Sequence, residues 1–304
     1  MIQAAEYELL RESAGLVDRS ARGKLRLTGA EAAEFLQGQV TNDVEALAPG
    51  SGCYAALLSH KGKVQADMRV LCGDGWIWLD CEPGTQALLE RTVRTFGIGR
   101  DVHADDVTES EAILSLVGPA AAGALDAEPP AEEHSFVTGE HGLYVRTDGG
   151  VDVICPAADA EAVRLALGVE DVSEEAAECL RIESGRPRFG RDFGTDTIPE
   201  EAGLNERAVS FTKGCYVGQE TVARLHYKGK PNRRLRGLRL SEPVATGQAL
   251  RLGDRQVGTV GSVAVSPVHG PIALAVVRRE AGPGDELSVD GSAATAEVLE
   301  PPFT

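Results

Sequence analysis

The chain has 304 residues, more than one hydrophobic core usually fills, so two or three compact units are expected. Hydrophobic residues make up 42% and charged residues 25%, as in a soluble globular protein, while aromatic residues are only 5%. The 47 acidic residues outweigh 30 Lys and Arg, and the resulting formal charge of −17 argues against a broad electrostatic grip on nucleic acid.

The N-terminal part of the chain predicts two α+β lobes. The first seventeen residues suit a helix, which Gly15 would end. A strand at 24–28 then leads to a helix at 30–39, with Thr28 in its N-cap region. Strands follow at 54–59, 64–71 and 76–81, then a helix at 85–95. The same order recurs, with strands at 112–117, 142–146 and 151–154 and a helix at 157–167. A repeated order of this kind predicts two units packed side by side.

The remaining chain predicts one more helix and a separate β-rich domain. The helix covers 173–186, beginning at Ser173 and ended by Gly185 and Pro187. Beyond Arg233, short Val- and Leu-rich runs are split by Gly, Pro and Asp, which is typical of a small antiparallel barrel. The predicted fold class is therefore α+β. Residues 1–230 would form the first region, with lobes at about 20–105 and 110–185 followed by a segment that contains residues 213–220. Residues 231–304 would form the barrel.

The octet Lys-Gly-Cys-Tyr-Val-Gly-Gln-Glu at 213–220 is the most distinctive motif, because no hydrophobic period requires this mixture. Its two glycines predict a tight turn that presents Cys215. Lys213, two residues away, would lower the pKa of the thiol; a shift from about 8.5 to about 7 takes roughly 2 kcal/mol, which one close ammonium supplies. We therefore expect Cys215 and Lys213 to act as a reactive pair. The alternative is a surface loop with an incidental cysteine.

Together with the segments 14–20, 35–43, 180–185 and 199–204, the octet resembles the signature of YgfZ-type folate-binding proteins, relatives of the glycine-cleavage aminomethyltransferase (T-protein). The resemblance covers nearly the whole chain. It implies a two-part folate-binding region followed by a β-barrel, with tetrahydrofolate, or its 5-formyl or methylene derivative, in the central opening. The octet is absent from true aminomethyltransferases, so the resemblance implies a different task on a similar scaffold.

The resemblance also implies a folate site built on carboxylates. Asp67 corresponds in position to an aspartate near the reacting folate nitrogen, where a carboxylate binds the N10 hydrogen or assists proton transfer. Asp148 is the shorter counterpart of a T-protein glutamate that accepts two hydrogen bonds from the pterin ring. Each has a structural alternative, since Asp67 can satisfy a local hydrogen bond and Asp148-Gly149 is ordinary hairpin chemistry.

Further ligand residues are expected around the octet and the helix before it. Arg181 resembles a family residue near the folate, where its guanidinium would pair with a carboxylate, and Glu183 either contacts the ligand or bonds a backbone turn. Gln219 and Glu220 would orient the octet. Basic side chains between Arg224 and Arg239 would hold a polyanionic ligand tail or a phosphate backbone, or are solvated linker charge.

The sequence argues against several kinds of site. The six cysteines form no Cys-x-x-Cys pair and the histidines no metal-binding spacing, so neither a disulfide framework nor a metal site is expected. No apolar run of about 18 residues and no secretion signal is found, and we expect a cytoplasmic protein without a membrane partner. Nucleotide-binding and zinc-protease motifs are missing as well.

Three functions follow from these observations. The first is a tetrahydrofolate-binding accessory protein that, by resemblance, supports iron–sulfur cluster assembly or repair in client enzymes, including tRNA-modifying ones. Its partners would be folate and iron–sulfur client or assembly proteins, with no direct nucleic-acid contact. The second is a folate-dependent aminomethyl or methyl transferase, which Asp67 favours and the octet disfavours. The third is a non-catalytic scaffold that only docks partners.

Overall fold

The computed structural model describes residues 4–303, which form three antiparallel sheets flanked by helices. The helices are α1 (Ala4–Glu12), α2 (Ala32–Gln39), α3 (Gln86–Phe96), α4 (Ala160–Leu167), α5 (Glu174–Glu183), α6 (Asn205–Ala208) and α7 (Gln219–Lys228). The strands are β1 (Gly15–Asp18), β2 (Gly23–Thr28), β3 (Ser51–Leu58), β4 (Val64–Cys72), β5 (Trp76–Cys81), β6 (His103–Asp106), β7 (Glu111–Val117), β8 (Phe136–Gly139), β9 (Gly142–Thr147), β10 (Gly150–Pro156), β11 (Arg233–Leu240), β12 (Ala249–Leu252), β13 (Arg255–Thr259), β14 (Val263–Ser266), β15 (Gly270–Arg278), β16 (Glu286–Val289) and β17 (Thr295–Leu299). This mixed architecture confirms the predicted fold class.

The first sheet has the order β3-β4-β5-β2-β6 and packs one face against α2 and α3. In β2, Leu25 and Leu27 are buried in this core, while Arg26 between them is exposed, as expected for side chains that alternate across a strand. Helix α3 contributes Leu89 and Val93, which lie four residues apart and therefore on one side of the helix.

The second sheet has the order β1-β7-β10-β9-β8, and its first strand is absent from the sequence prediction. The predicted N-terminal helix ends at Glu12, and Gly15–Asp18 instead pairs antiparallel with β7, with Leu16 opposite Leu116. Both Leu16 and Val17 are buried, so the strand shows no polar–apolar alternation. A short apolar run of this kind does not distinguish a strand from a helix.

The two sheets pack face to face through a shared hydrophobic cluster. Leu71 and Trp78 of the first sheet meet Ile113, Val145 and Ile154 of the second. The polar side chains on the same two faces are therefore brought together at this junction.

The start of α2 differs from the sequence prediction. Thr28 is the last residue of β2, and the N-cap position is Glu31, whose side chain makes no capping bond. The exposed amide of Ala30 is satisfied by the Asp101 carboxylate at 2.9 Å. Gly29, with φ of 108°, permits this approach, because a β-carbon there would lie 2.3 Å from the Asp101 carbonyl oxygen. This contact lies before the N-cap, comes from a residue far away in the sequence, and therefore leaves no local sequence signal.

The segment after the second sheet contains α4 to α7. Ser173 caps α5, as predicted, because its hydroxyl accepts a hydrogen bond from the Ala176 amide at 3.3 Å. Helix α7 begins inside the octet and was not predicted; the expected loop becomes helical from Gln219. No helix within residues 4–303 is long and apolar enough to cross a membrane.

The third sheet is a curled antiparallel sheet with the order β13-β12-β16-β17-β11-β15-β14. The apolar stretch at 256–265, one of the Val- and Leu-rich runs beyond Arg233, is divided in the structure between β13 and β14. At this break the Ser262 amide donates to Asp192 at 2.7 Å, and a β-carbon at Gly261 would lie 2.6 Å from the same carboxylate oxygen. The interruption therefore anchors the third sheet to the segment after α5. The boundary near Pro231 stays a prediction.

Candidate functional site

Tyr54 of β3 and Asp67 of β4 form the centre of a polar site between the first two sheets. The Tyr54 hydroxyl donates a hydrogen bond to the Asp67 carboxylate, whose residue is only 5% exposed. Burial raises the pKa of Asp67 to about 6, although the Tyr54 hydrogen bond works in the opposite direction. A carboxyl group that titrates near neutrality is suited to accept or return a proton.

Arg69, directly opposite Tyr54 in the β3–β4 register, joins the two lobes. Its Nε donates to Asp80 Oδ2 at 2.7 Å, and its Nη1 donates to Asp152 Oδ2 of the second sheet at 2.6 Å. The Ser115 hydroxyl donates to the other Asp152 oxygen at 2.6 Å. Burial opposes ionisation of Asp80, yet Arg69 and its neighbouring arginine Arg22 lower the pKa of that carboxyl. The sheet junction therefore contains a buried, ionised network.

A second ionic group surrounds Glu133, in the loop before β8. Arg186 binds both Glu133 oxygens, at 2.6 and 3.0 Å, and its Nε lies 2.7 Å from Asp148 Oδ2. Burial opposes ionisation of Glu133, but Arg186 and the nearby cations lower the pKa of its carboxyl to about 2. Asp148 is half-exposed and engaged with Arg186, so this predicted pterin ligand lies at the rim and its charge is already paired.

His134 extends from the same loop to the Tyr54 ring. The two rings stack with their centroids 6.4 Å apart, and His134 Nε2 lies 3.5 Å from Glu133 Oε1. Its φ of 72° is left-handed, an uncommon conformation for a residue other than glycine. Burial lowers the pKa of His134 to about 4, so the imidazole is neutral at pH 7. The Arg207 guanidinium carbon lies 5.0 Å from the centroid of the same Tyr54 ring.

These residues form the Tyr54 cluster: Tyr54, Asp67, Arg69, His134 and Arg207. Three of its buried polar atoms, Arg69 Nη2, His134 Nδ1 and Arg207 Nε, have no hydrogen-bond partner within residues 4–303. An unpaired buried polar atom costs about 1–3 kcal/mol, and such atoms in a folded protein call for an explanation. Their grouping around one tyrosine is suited to a polar ligand that forms hydrogen bonds with them.

Lys213 is not paired with Cys215, contrary to the prediction from the octet. Its buried ammonium donates to the carbonyl oxygens of Gln37, Val40 and Asn42 at 2.6, 2.7 and 2.7 Å. These carbonyls lie at and beyond the C-terminal end of α2, where backbone acceptors lack intrahelical partners. Burial lowers the pKa of Lys213 to about 8. The lysine therefore fastens the octet to the first lobe.

Cys215 is exposed in the loop before α7, while the adjacent Tyr216 is buried. The left-handed turn that begins α7 is formed by Gly218, with φ of 83°. A β-carbon at Gly218 would lie 2.5 Å from the Ser59 carbonyl oxygen and 3.1 Å from the Gly62 α-carbon. The octet thus packs tightly on the β3–β4 turn, on strands that also carry Tyr54 and Asp67.

Comparison with known proteins identifies the family. Two family models match, the GCVT N-terminal domain over residues 1–142 and the glycine cleavage T-protein C-terminal barrel domain over residues 233–304. A probable aminomethyltransferase of Natronomonas pharaonis is 32% identical and aligns over 93% of this chain and 85% of its own length. The chain belongs to the aminomethyltransferase family.

The chain is also similar to two further proteins. An aminomethyltransferase of Saccharopolyspora erythraea is 29% identical over 99% of this chain and 89% of its own length. The glycine cleavage system aminomethyltransferase T from Bartonella henselae superposes with a TM-score of 0.89, covering 99% of this chain and 89% of that chain. Its sequence identity is 24%, so this likeness shows the shared fold.

In this aminomethyltransferase-family protein, Arg181 and Glu183 make structural contacts away from the Tyr54 cluster. Arg181 binds Glu178 at 2.8 Å, Asp192 at 3.0 Å and Ser262 at 2.6 Å, joining α5 to the third sheet. Glu183 accepts hydrogen bonds from the hydroxyls of Tyr7, at 3.0 Å, and Ser266, at 2.5 Å. Both groups hold helices to strands, and their expected contact with folate stays a prediction.

The last two residues of the octet lie at the start of α7. Gln219 and Glu220 form the first turn of α7, and Glu220 is exposed. Their expected role in orienting the octet stays a prediction.

Sequence reasoning missed Asp152, although a signal was present. Asp152 alternates with Val151 and Val153 in β10, and those two valines pack in the core of the second lobe. The opposite face of the strand should be solvated and is instead covered by the first sheet. A carboxylate at that position needs a buried partner, and Arg69 supplies it. His134 and Glu133 had no such signal, because they lie in an irregular loop.

Proposed function

We propose that this protein binds a reduced folate at the Tyr54 cluster and transfers an aminomethyl or methyl group to or from it. The observation that carries the proposal is the Asp67 carboxyl, buried between the lobes with a pKa of about 6 and hydrogen-bonded to Tyr54. The relatives named aminomethyltransferase support the reaction class.

The side chains present fit a tetrahydrofolate. Its pterin ring carries an amino group and ring N–H donors for carboxylates, together with a carbonyl oxygen and ring nitrogens that accept hydrogen bonds. The unpaired donors Arg69 Nη2 and Arg207 Nε match those acceptors, and the Tyr54 ring offers an aromatic face. The buried ionic network around Asp152 fixes the position of Arg69, so little rearrangement is needed on binding.

Asp67 would act on a nitrogen of the bound folate. When N10 takes up or releases a one-carbon group, it loses or regains a proton, and an adjacent carboxylate can hold that proton. Below a pH of about 6 the carboxyl is protonated, so it cannot take up a further proton and accepts a hydrogen bond from an N–H more weakly than the carboxylate that forms above this pH. Binding and transfer should therefore weaken as the pH falls through this value.

Calorimetric titration with 5-formyltetrahydrofolate tests the binding step, and turnover of aminomethyl or methyl donors with tetrahydrofolate tests the reaction. Asp67→Asn keeps the shape of the side chain but cannot take a proton, so turnover should be lost. The matched control is Asp74→Asn, an exposed aspartate in the turn after β4. Absence of binding by the unaltered protein would contradict the whole proposal and leave the non-catalytic scaffold.

A second candidate is the YgfZ-type accessory role, in which folate binding supports iron–sulfur cluster assembly or repair in client enzymes. The observation that favours it is the exposed Cys215 of the octet, which the one-carbon reaction does not use. In a cell lacking the gene, Cys215→Ala should then fail to restore activity of iron–sulfur enzymes while folate affinity stays unchanged. Full restoration by this variant removes the candidate, and cytoplasmic location of the protein is part of the same proposal.

A further inference from the structure

Helix α7 is attached to the protein by few buried side chains. Of its ten residues only Val222 is buried, whereas a surface helix usually buries about three to four residues in every two turns. The turn at Gly218 and the carbonyl contacts of Lys213 hold the start of the helix in place. Most of the helix surface is therefore exposed to solvent, while the start of the helix is held in place.

The exposed surface of α7 contains a packed aromatic group. The rings of Phe211 and His226 stack at 3.8 Å with an angle of 17°, and Tyr227 packs edge-on against His226 at 4.8 Å. Tyr227 is nevertheless 66% exposed, and Val217 of the octet is 39% exposed. Rigid, partly exposed aromatic residues are frequent anchors of protein interfaces, because little conformational entropy is lost when they are covered.

The same surface has a positive charge that is unusual for this protein. Arg224, Lys228 and Lys230 are exposed, and none forms a salt bridge within residues 4–303. By contrast, the nearby Arg233 and Arg236 are paired with acidic side chains at 2.7 and 2.9 Å. The whole chain has a formal charge of −17, so three unpaired cations near one helix reverse the local sign.

We propose that the α7 surface, formed by Val217, Arg224, His226, Tyr227, Lys228 and Lys230, docks an acidic segment of a partner protein. An aromatic centre with a charged rim is the usual organisation of a protein interface. A nucleic acid fits less well, because its phosphates would meet three cations and then the strongly acidic remainder of the protein. The acidic side chain on the helix, Glu220, lies in its first turn, away from the cationic end.

Cys215 provides a local reporter for this docking. It is exposed in the loop that precedes α7, whereas Cys81, Cys155 and Cys179 are buried and Cys53 and Cys72 are partly buried, so the latter two are replaced by serine before labelling. An environment-sensitive fluorophore on Cys215 should respond when the α7 surface is covered. The probe is a short peptide of glutamate interspersed with leucine, and its control is the same peptide with glutamine in place of glutamate.

The acidic peptide should bind and its glutamine counterpart should bind at least tenfold more weakly. Arg224→Glu combined with Lys228→Glu should weaken binding roughly tenfold or more, since like charges then oppose each other, and Tyr227→Ala roughly tenfold. The control is Arg94→Glu, an exposed cation on α3, which should leave the affinity unchanged. Circular dichroism melts confirm that each variant is folded.

Three results would overturn the proposal: no response to the acidic peptide, equal affinity of the α7 variants and the α3 control, or tighter binding of a single-stranded oligonucleotide than of the peptide. None of them depends on folate binding, so this surface and the proposed function succeed or fail separately.

Discussion

The Tyr54 hydroxyl donates a hydrogen bond to the buried Asp67 carboxylate across two paired strands of the first sheet. Tyr54 also contacts His134, which comes from the second lobe, and Arg207, which comes from α6. One side chain therefore connects the acid of the candidate site to the two segments that surround it.

Asp67→Asn should stabilise the protein at neutral pH. Because the pKa of Asp67 is raised from 3.8 to about 6 in the folded state, ionisation above that range opposes folding. The difference corresponds to roughly 3 kcal/mol, and it should appear as a higher unfolding free energy of the asparagine variant at pH 7.5.

Well below pH 3.8 the advantage should vanish, since Asp67 is then protonated in both states. Denaturant unfolding of both proteins at each pH checks this, with Asp74→Asn as control. An unfolding free energy of Asp67→Asn that is lower than that of the parent at pH 7.5 would contradict the prediction.

The positions of the strands around Asp67 could be predicted from the sequence, but the residues that contact Asp67 could not. Alternating apolar residues placed β3, β4 and β5 within a few residues of their observed ends. Tyr54 and Asp67 lie thirteen positions apart, and only the β3–β4 register brings them together. His134 reaches the same place from an irregular loop and Arg207 from the four-residue helix α6, which is too short to show a periodic pattern.

In the octet, closeness in sequence did not predict closeness in space. Lys213 and Cys215 are two residues apart, but the loop between them has no regular conformation, so one side chain is buried and the other is exposed. The carbonyls that bind Lys213 belong to residues far away in the sequence. Sequence proximity alone did not reveal these competing acceptors.

Lys213→Ala should destabilise the protein without changing the reactivity of Cys215. The substitution leaves three backbone carbonyls at the end of α2 without their charged donor, at a cost of about 2 kcal/mol or more. The rate of Cys215 alkylation by a maleimide, measured against pH, should follow that of the parent. The control is Lys61→Ala, an exposed lysine in the β3–β4 turn, which should change neither quantity. Slower alkylation of the Lys213 variant at neutral pH would restore the pairing of the thiol with Lys213.

Arg69→Met should lower the unfolding free energy by weakening the contact between the two lobes. The arginine neutralises the buried carboxylates of Asp80 and Asp152, and breaking a buried ion pair from one side costs about 3–5 kcal/mol. Arg91→Met, at an exposed position on α3, serves as the control. Adding Asp152→Asn to the Arg69 variant should recover part of the loss, because one unpaired charge is removed. Equal unfolding free energies for Arg69→Met with and without Asp152→Asn would show that the Arg69–Asp152 contact does not join the lobes.

His134 can be tested by separating its backbone from its side chain. Glycine accepts the left-handed φ of 72° without strain, so His134→Gly should be as stable as the parent or more stable. If the unpaired Nδ1 contacts the bound folate, the same variant should bind 5-formyltetrahydrofolate roughly tenfold more weakly.

Asparagine tolerates this conformation and places an amide group where Nδ1 lies, so His134→Asn should retain most of the affinity. Calorimetry at pH 7.5, where the imidazole is neutral, measures all three proteins. Equal affinity of the glycine variant and the parent would mean that His134 shapes the loop and does not contact the ligand.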